Sequence, residues 1–93
     1  MTDTEGNGSL RLRLFVTDES PGSCAARHNL AAALESLGLP AEMVEEIDVM
    51  VLPELAIKAG ILVTPTLEIM RGAERWLIAG RLTVTDALVA RLS

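Results

Sequence analysis

The sequence predicts an α/β fold with the element order β-α-β-α-β-β-α and a four-stranded mixed sheet. Three stretches carry that expectation. Leu10 to Thr17 (LRLRLFVT) alternates apolar and basic residues before closing on Phe15 and Val16. Ser20 to Gly38 repeats apolar residues at helical spacing. Pro53 to Gly80 (PELAIKAGILVTPTLEIMRGAERWLIAG) reads as helix, proline-bearing loop and hairpin.

Taken in order, Met1 to Ser9 are polar with two glycines and are expected to be a disordered tail, leaving residues 10–93 as one domain. In the first strand Leu10, Leu12 and Leu14 share one face and Arg11 and Arg13 the other, while Phe15 and Val16 are apolar on both. Such a strand enters the middle of a sheet. Ser20 can cap the following helix, since its hydroxyl can accept from an orphan N–H, and Pro21 suits the first helical position. Ala26, Leu30, Ala33 and Leu37 recur at helical spacing, Leu34 widens the stripe, and Gly38 marks the stop.

Pro40 and Ala41 form a turn, and Met43 to Met50 (MVEEIDVM) supply the second strand. Glu45, Glu46 and Asp48 among its apolar residues suit an edge. Pro53 opens the second helix, Leu55, Ala56 and Ala59 give it a short apolar stripe, and Gly60 can take the left-handed C-cap. Beyond Thr64-Pro65, the alternating runs Thr66 to Met70 and Glu74 to Ala79 flank Arg71-Gly72-Ala73, a hairpin signal. Leu67 and Ile69 oppose Glu68 and Met70, and Leu77 and Ala79 oppose Trp76 and Ile78. Thr83-Val84-Thr85-Asp86 has the form of a capping box ahead of a last helix through Val84, Ala87, Leu88 and Leu92. The β-α-β start calls for a right-handed crossover between parallel strands, and the hairpin adds antiparallel ones.

Composition narrows the function. The chain has 93 residues, of which 49% are hydrophobic, and only Phe15 and Trp76 are aromatic, so its modest core must be aliphatic. Net charge is −5 and the eight basic residues are spread along the chain, which argues against nucleic-acid binding. No apolar run approaches the roughly 20 residues of a membrane span, and no signal-peptide layout opens the chain. A single cysteine cannot form an internal disulfide, so a cytoplasmic setting is expected.

The order helix, Thr-Pro-Thr-Leu and hairpin resembles the C-terminal half of the thioredoxin-like fold. That resemblance implies a cis Pro65 beside the place where thioredoxins do their chemistry; the other reading is a trans proline starting an edge strand. It also implies that the first strand lies between the second and third, with the fourth beyond the third, leaving the second as an exposed edge. Thioredoxins place Cys-x-x-Cys at the mouth of the first helix, where the helix N-terminus lowers the thiol pKa. Here those positions read Ser20-Pro21-Gly22-Ser23, with Cys24 one place on. Dithiol exchange is therefore excluded. Cys24 is either an inert small residue or a monothiol centre working with glutathione.

His28 is the sole histidine, and no residue stands in a recognisable catalytic relation to it. One Cys and one His cannot complete a four-ligand metal site, and no cofactor motif is present. Two readings are open for Trp76: core against the last helix, or an exposed interface anchor. Met70, expected to be exposed near the hairpin tip, could add to a partner surface.

Hydroxyl residues in place of the cysteines, in so short a chain, resemble the KaiB family of circadian clock proteins. The resemblance covers residues 10 to 93 and rests on LRLFVTDESPGS and on EIDVMVLPELAIKAGILVTPTLEIM, above all Ile61-Leu62-x-Thr64-Pro65-Thr66-Leu67. This chain departs from the family in lacking its basic, proline-rich hairpin tip and its longer acidic C-terminal tail. The resemblance implies protein binding without catalysis, the partner being a KaiC-like RecA-type ATPase or a related histidine kinase. It places docking on the first helix, about Ala25 to Leu37, and on the second strand, Met43 to Met50. On these stretches the residues expected to dock are Arg27, Asn29, Glu45, Glu46 and Asp48. An unpaired edge strand can independently accept a partner strand, or a second copy in a homo-oligomer. The alternative is a redox-inactive thioredoxin-like adaptor with another partner.

The family also switches to a different packing of its C-terminal half, which requires two states only a few kcal/mol apart. Strict alternation over residues 66–79, with a short glycine turn, favours the thioredoxin-like state here. Backbone chemical shifts in solution are expected to report strand across 66–79, and helical shifts there would refute this.

Overall fold

The computed structural model describes residues 10–82 and 86–92. In it the strand β1 (Leu10–Val16) is hydrogen-bonded on both sides. It runs parallel to β2 (Val44–Asp48) and antiparallel to β3 (Thr66–Arg71), and β3 pairs antiparallel with β4 (Glu74–Ala79). The sheet order is β2-β1-β3-β4, so β2 and β4 are the edges. Three helices, α1 (Pro21–Ser36), α2 (Pro53–Ala59) and α3 (Asp86–Leu92), complete the expected thioredoxin-like arrangement.

The register divides the residues between two unlike faces. Leu12 pairs with Ile69 and Leu14 with Leu67, and these buried side chains form the main core with Ala26, Leu30, Ala33 and Leu34 of α1 and Leu88 and Leu92 of α3. The opposite face carries a much smaller cluster, Phe15 and Ile47 under Ala56 and Ala59 of α2. Phe15 and Val16 are both fully buried, as a central strand end requires.

The helix ends follow the sequence signals. Ser20 caps α1 by accepting from the N–H of Ser23, and Pro21 occupies the first turn. At the far end Gly38 takes φ 71°, and the N–H of Leu39 reaches the carbonyl of Leu34 at 2.9 Å. Gly60 ends α2 in the same way at φ 76°, with Ile61 N–H on the Ala56 carbonyl. Both are six-to-one closures of the Schellman type.

Several boundaries differ from the sequence reading. The second strand begins at Val44, because Met43 belongs to a 3-10 turn, Ala41–Met43, whose last N–H bonds Pro40. It ends at Asp48, because the Asp48 carboxylate accepts the N–H of Met50 at 2.8 Å and turns the chain. Thr17 leaves β1 because its N–H donates to the Ser23 hydroxyl instead. Arg71 joins β3 opposite both Leu10 and Glu74, which shortens the turn to Gly72-Ala73. Met70 is half-buried rather than exposed, sharing a face with Arg11 and Arg75 across the register. Trp76 is half-buried against the main core, with the Arg91 guanidinium 4.8 Å above its ring. The disordered tail expected over Met1 to Ser9 and the capping box expected at Thr83 to Asp86 rest on residues outside those described.

Where α2 is too short to cover the second face, ions do so. Glu68 of β3 is 1% exposed, yet it lies between Arg13 Nε at 2.5 Å and Arg75 Nε at 2.6 Å. Arg75 also donates to the carbonyl of Ala59 at the end of α2, tying the hairpin to that helix. Burial works to raise the Glu68 carboxyl, but the hydrogen bonds from Arg13 and Arg75 outweigh it and hold the group below its ordinary value. The same bond raises Arg13.

Removing one member of a buried ion cluster strands the others. Glu68→Gln is expected to cost about 2–3 kcal/mol, less than a fully enclosed pair because Arg75 is partly solvated. Because the folded carboxyl lies below its unfolded value, its stabilisation is present above the ordinary glutamate range and is lost as pH falls through the folded value. Chemical denaturation at a series of pH values should therefore show a steeper acid loss for the wild-type chain than for Glu68→Gln.

Candidate functional site

Two regions carry the polar chemistry. The first lies where β1 ends and α1 begins. Ser23 is fully buried, its hydroxyl accepting from Thr17 N–H at 3.1 Å and from the Ser20 hydroxyl at 2.9 Å. The Thr17 and Thr64 hydroxyls are 2.5 Å apart. The Thr64–Pro65 peptide bond is cis, and Pro65 packs against Gly22, where an added Cβ would sit 3.3 Å from the proline Cδ. Ser20, Gly22, Ser23 and Pro65 thus form one closed corner, held by hydroxyls and containing no thiol.

Cys24 stands outside that corner. It lies two residues beyond Gly22, so the helical rotation turns it to the far side of α1. Its exposed sulfur is 3.6 Å from a Glu19 carboxylate oxygen and 3.7 Å from Arg27 Nη1. His28 is exposed on the same helix.

The second region is the β2 edge with the flank of α1 above it. Arg27 Nε binds the Glu46 carboxylate at 2.6 Å, and its Nη2 donates to the Asp18 carbonyl at 2.9 Å. Glu19 lies 3.5 Å from the same guanidinium. The Glu46 hydrogen bond is the main cause of an Arg27 pKa raised above its usual value. Below this pair an open groove of about 210 Å³ is lined by Leu14, Leu30, Ala31, Leu34 and Val44.

Of the five docking residues expected from sequence, the structure brings Arg27 and Glu46 together. Glu45 is exposed on the opposite sheet face, in register with Arg13. Asp48 is occupied in closing the turn after β2. Asn29 points to another side of α1, where its amide donates to the Arg81 carbonyl at 2.9 Å. The groove itself was missed, because Leu30, Leu34 and Val44 read as ordinary core. The signal that could have found it is exposed Ala31, too small to cover Leu30 and Leu34 beside it.

No protein-family model matches the sequence, and no curated protein matches it. Solved structures do match. Mitochondrial thioredoxin 3 from Saccharomyces cerevisiae superposes with a TM-score of 0.67 at 13% identity, over 84% of this chain and 73% of its own. Fasciola hepatica thioredoxin gives 0.65 at 18% identity, over 84% and 74%. The N-terminal domain of Synechococcus elongatus SasA gives 0.63 at 25% identity, over 92% and 80%. The chain has a thioredoxin-like fold.

The corner geometry supports a direct test of that likeness. In a Cys24→Ser background, Ser20→Cys combined with Ser23→Cys is expected to form an intramolecular disulfide on mild oxidation, because the two hydroxyl oxygens already lie 2.9 Å apart. Alkylation in denaturant before and after oxidation, needed because position 23 is fully buried in the folded chain, should show by mass spectrometry both thiols protected together. Persistent alkylation of both would mean that the corner does not hold these positions at bonding distance.

Proposed function

We propose that this chain is a non-catalytic protein-binding module of the KaiB kind, which docks on its partner through α1 and the β2 edge. The observation that carries the reading is the unpaired edge of β2 beside the apolar groove under Arg27 and Glu46. An extended partner segment could continue the sheet through backbone hydrogen bonds while placing one apolar side chain in the groove. Exposed Glu45 and Glu46 would favour a basic segment and speed its approach. The hydroxyls of Ser20 and Ser23 support binding over catalysis, since they occupy the corner that the thioredoxin likeness associates with thiols.

The likeness to the SasA N-terminal domain, together with the KaiB-like motifs, points to a KaiC-like RecA-type ATPase or a histidine kinase as partner. The setting would be cytoplasmic timing or stress signalling. Fold switching of the KaiB type would require the Arg75 bonds to Glu68 and Ala59 to break, so the ion cluster weighs against the alternative packing. A second reading, monothiol chemistry, is favoured by one observation: Cys24 is exposed beside a guanidinium.

Affinity capture of the tagged chain from its own cell lysate, with ATP present, tests the first reading. A RecA-type ATPase or histidine kinase is expected in the eluate, and Glu45→Lys should abolish its recovery, with circular dichroism confirming that the fold persists with a lysine opposite Arg13. Cys24→Ser should leave recovery unchanged. Loss of capture with Cys24→Ser, and retention with Glu45→Lys, would transfer the function to the thiol.

A further inference from the structure

The sheet has a second open edge, at β4, and its charge is opposite to that of β2. The N–H of Gly80 reaches the carbonyl of Pro65 at 2.8 Å, which fixes the phase of the β3–β4 ladder. Backbone groups alternate sides along a strand, so Ile78, Trp76 and Glu74 also turn theirs towards β3. Arg75, Leu77 and Ala79 then each present an N–H and a C=O to the open side. Among the described residues nothing bonds these groups. The register is unbroken from Glu74 to Ala79, so no bulge twists the edge out of reach.

Side chains on β4 narrow the occupant. Arg75, Leu77 and Ala79 are exposed and share the sheet face opposite the main core, while Glu74 turns to the other face, in register with Arg71. The Arg75 guanidinium is fixed, with Nε on Glu68 and Nη2 on the Ala59 carbonyl, and its Nη1 has no partner among the described residues. Arg13 and Arg75 share the single charge of Glu68. Arg11 lies in the same cross-strand row as Met70 and Arg75 and is in no ion pair among the described residues. Positive charge is thus in excess beside β4, although the chain carries −5 overall. Glu45, on the same face, is three strand spacings away, about 14 Å. At the β2 edge Glu45 and Glu46 are exposed, so a carboxylate attracted to β4 is repelled there.

We infer that β4 accepts an extended segment of a partner protein, added antiparallel, with an acidic residue opposite Arg75 and aliphatic residues opposite Leu77 and Ala79. Antiparallel addition lets three partner residues each exchange both backbone bonds with the outward groups of β4. Leu77, 42% exposed, gains a cross-strand apolar neighbour. Because the strands run opposite ways, the partner reads aliphatic, any residue, aliphatic, any residue, acid. The fixed guanidinium loses little side-chain freedom on meeting that acid. The inference goes beyond the reading of the β2 edge and uses none of its residues.

Amide NMR spectra of the whole chain, titrated with the blocked peptide Gly-Ser-Val-Thr-Leu-Thr-Glu-Ser-Gly, test it. Saturable shifts are expected at Arg75, Leu77 and Ala79, with a Kd below about 1 mM and with Val44 and Glu46 unmoved. Lysine in place of the peptide's glutamate should weaken binding about fivefold or more, and the difference should shrink in high salt. Ala79→Pro removes one outward N–H without touching the β3 ladder, and should weaken binding about tenfold while its spectrum keeps the wild-type pattern elsewhere. Absence of saturable shifts overturns the inference, as do shifts centred on β2, equal binding of the lysine peptide, or binding that Ala79→Pro leaves unchanged. Concentration-dependent shifts at β4 without peptide also overturn it, because the edge would then be taken by a second copy.

Discussion

A carboxylate buried in the sheet is the constraint on which this structure turns. Glu68 sits in the strand β3, between β1 and β4, with 1% of its surface exposed. An isolated charge there would be untenable, and it persists because Arg13 and Arg75 hold both its oxygens. The cluster spans three strands, and the Arg75 bond to Ala59 adds α2. Register, hairpin and helix are therefore specified together. A one-residue slip of β3 would carry Glu68 into the aliphatic core and Leu67 onto the charged face.

The ion cluster also explains the unequal faces. One side of the sheet is sealed by α1 and α3 over leucines, in the aliphatic core that a chain with two aromatics must build. The other has one seven-residue helix, whose buried residues are alanines. Alanine lets α2 lie close to Phe15 and Ile47 but buries little of its own surface. What α2 cannot cover, the arginine stems and Glu68 do. Several larger apolar side chains of that segment, Met50, Val51, Ile57 and Leu62 among them, are left exposed.

Much of this architecture was legible in the sequence, because it is encoded locally. Ser20-Pro21, Gly38, Pro53-Gly60 and the alternation of 66–79 each state a cap, a stop or a face within a few residues. Non-local pairings were less legible. Glu68 read as one polar position on a half-exposed strand, since Arg13 lies 55 residues away and nothing near Glu68 announces it. Asp48 read as a docking acid although its carboxylate is engaged by the backbone two residues on. Asn29 read likewise, and its partner, the Arg81 carbonyl, carries no sequence signature at all. In the candidate site, the Arg27–Glu46 pairing joins residues 19 apart, so composition showed the charges and only the fold could show their contact.

The hydroxyl corner bears on how such a fold can change its use. A thioredoxin-like corner needs an N-capping group at the mouth of α1 and a small partner one turn on, and serine meets both demands. Ser20 caps, while Ser23 satisfies an N–H from the end of β1 that would otherwise be buried and unpaired. The backbone of the corner is thereby held by hydroxyls at these positions. Independently of the corner, the topology supplies a free edge strand, a shallow groove beside it, and a helix on the other face with an exposed outer side. All three are suited to contact with other proteins, and none depends on a reactive atom.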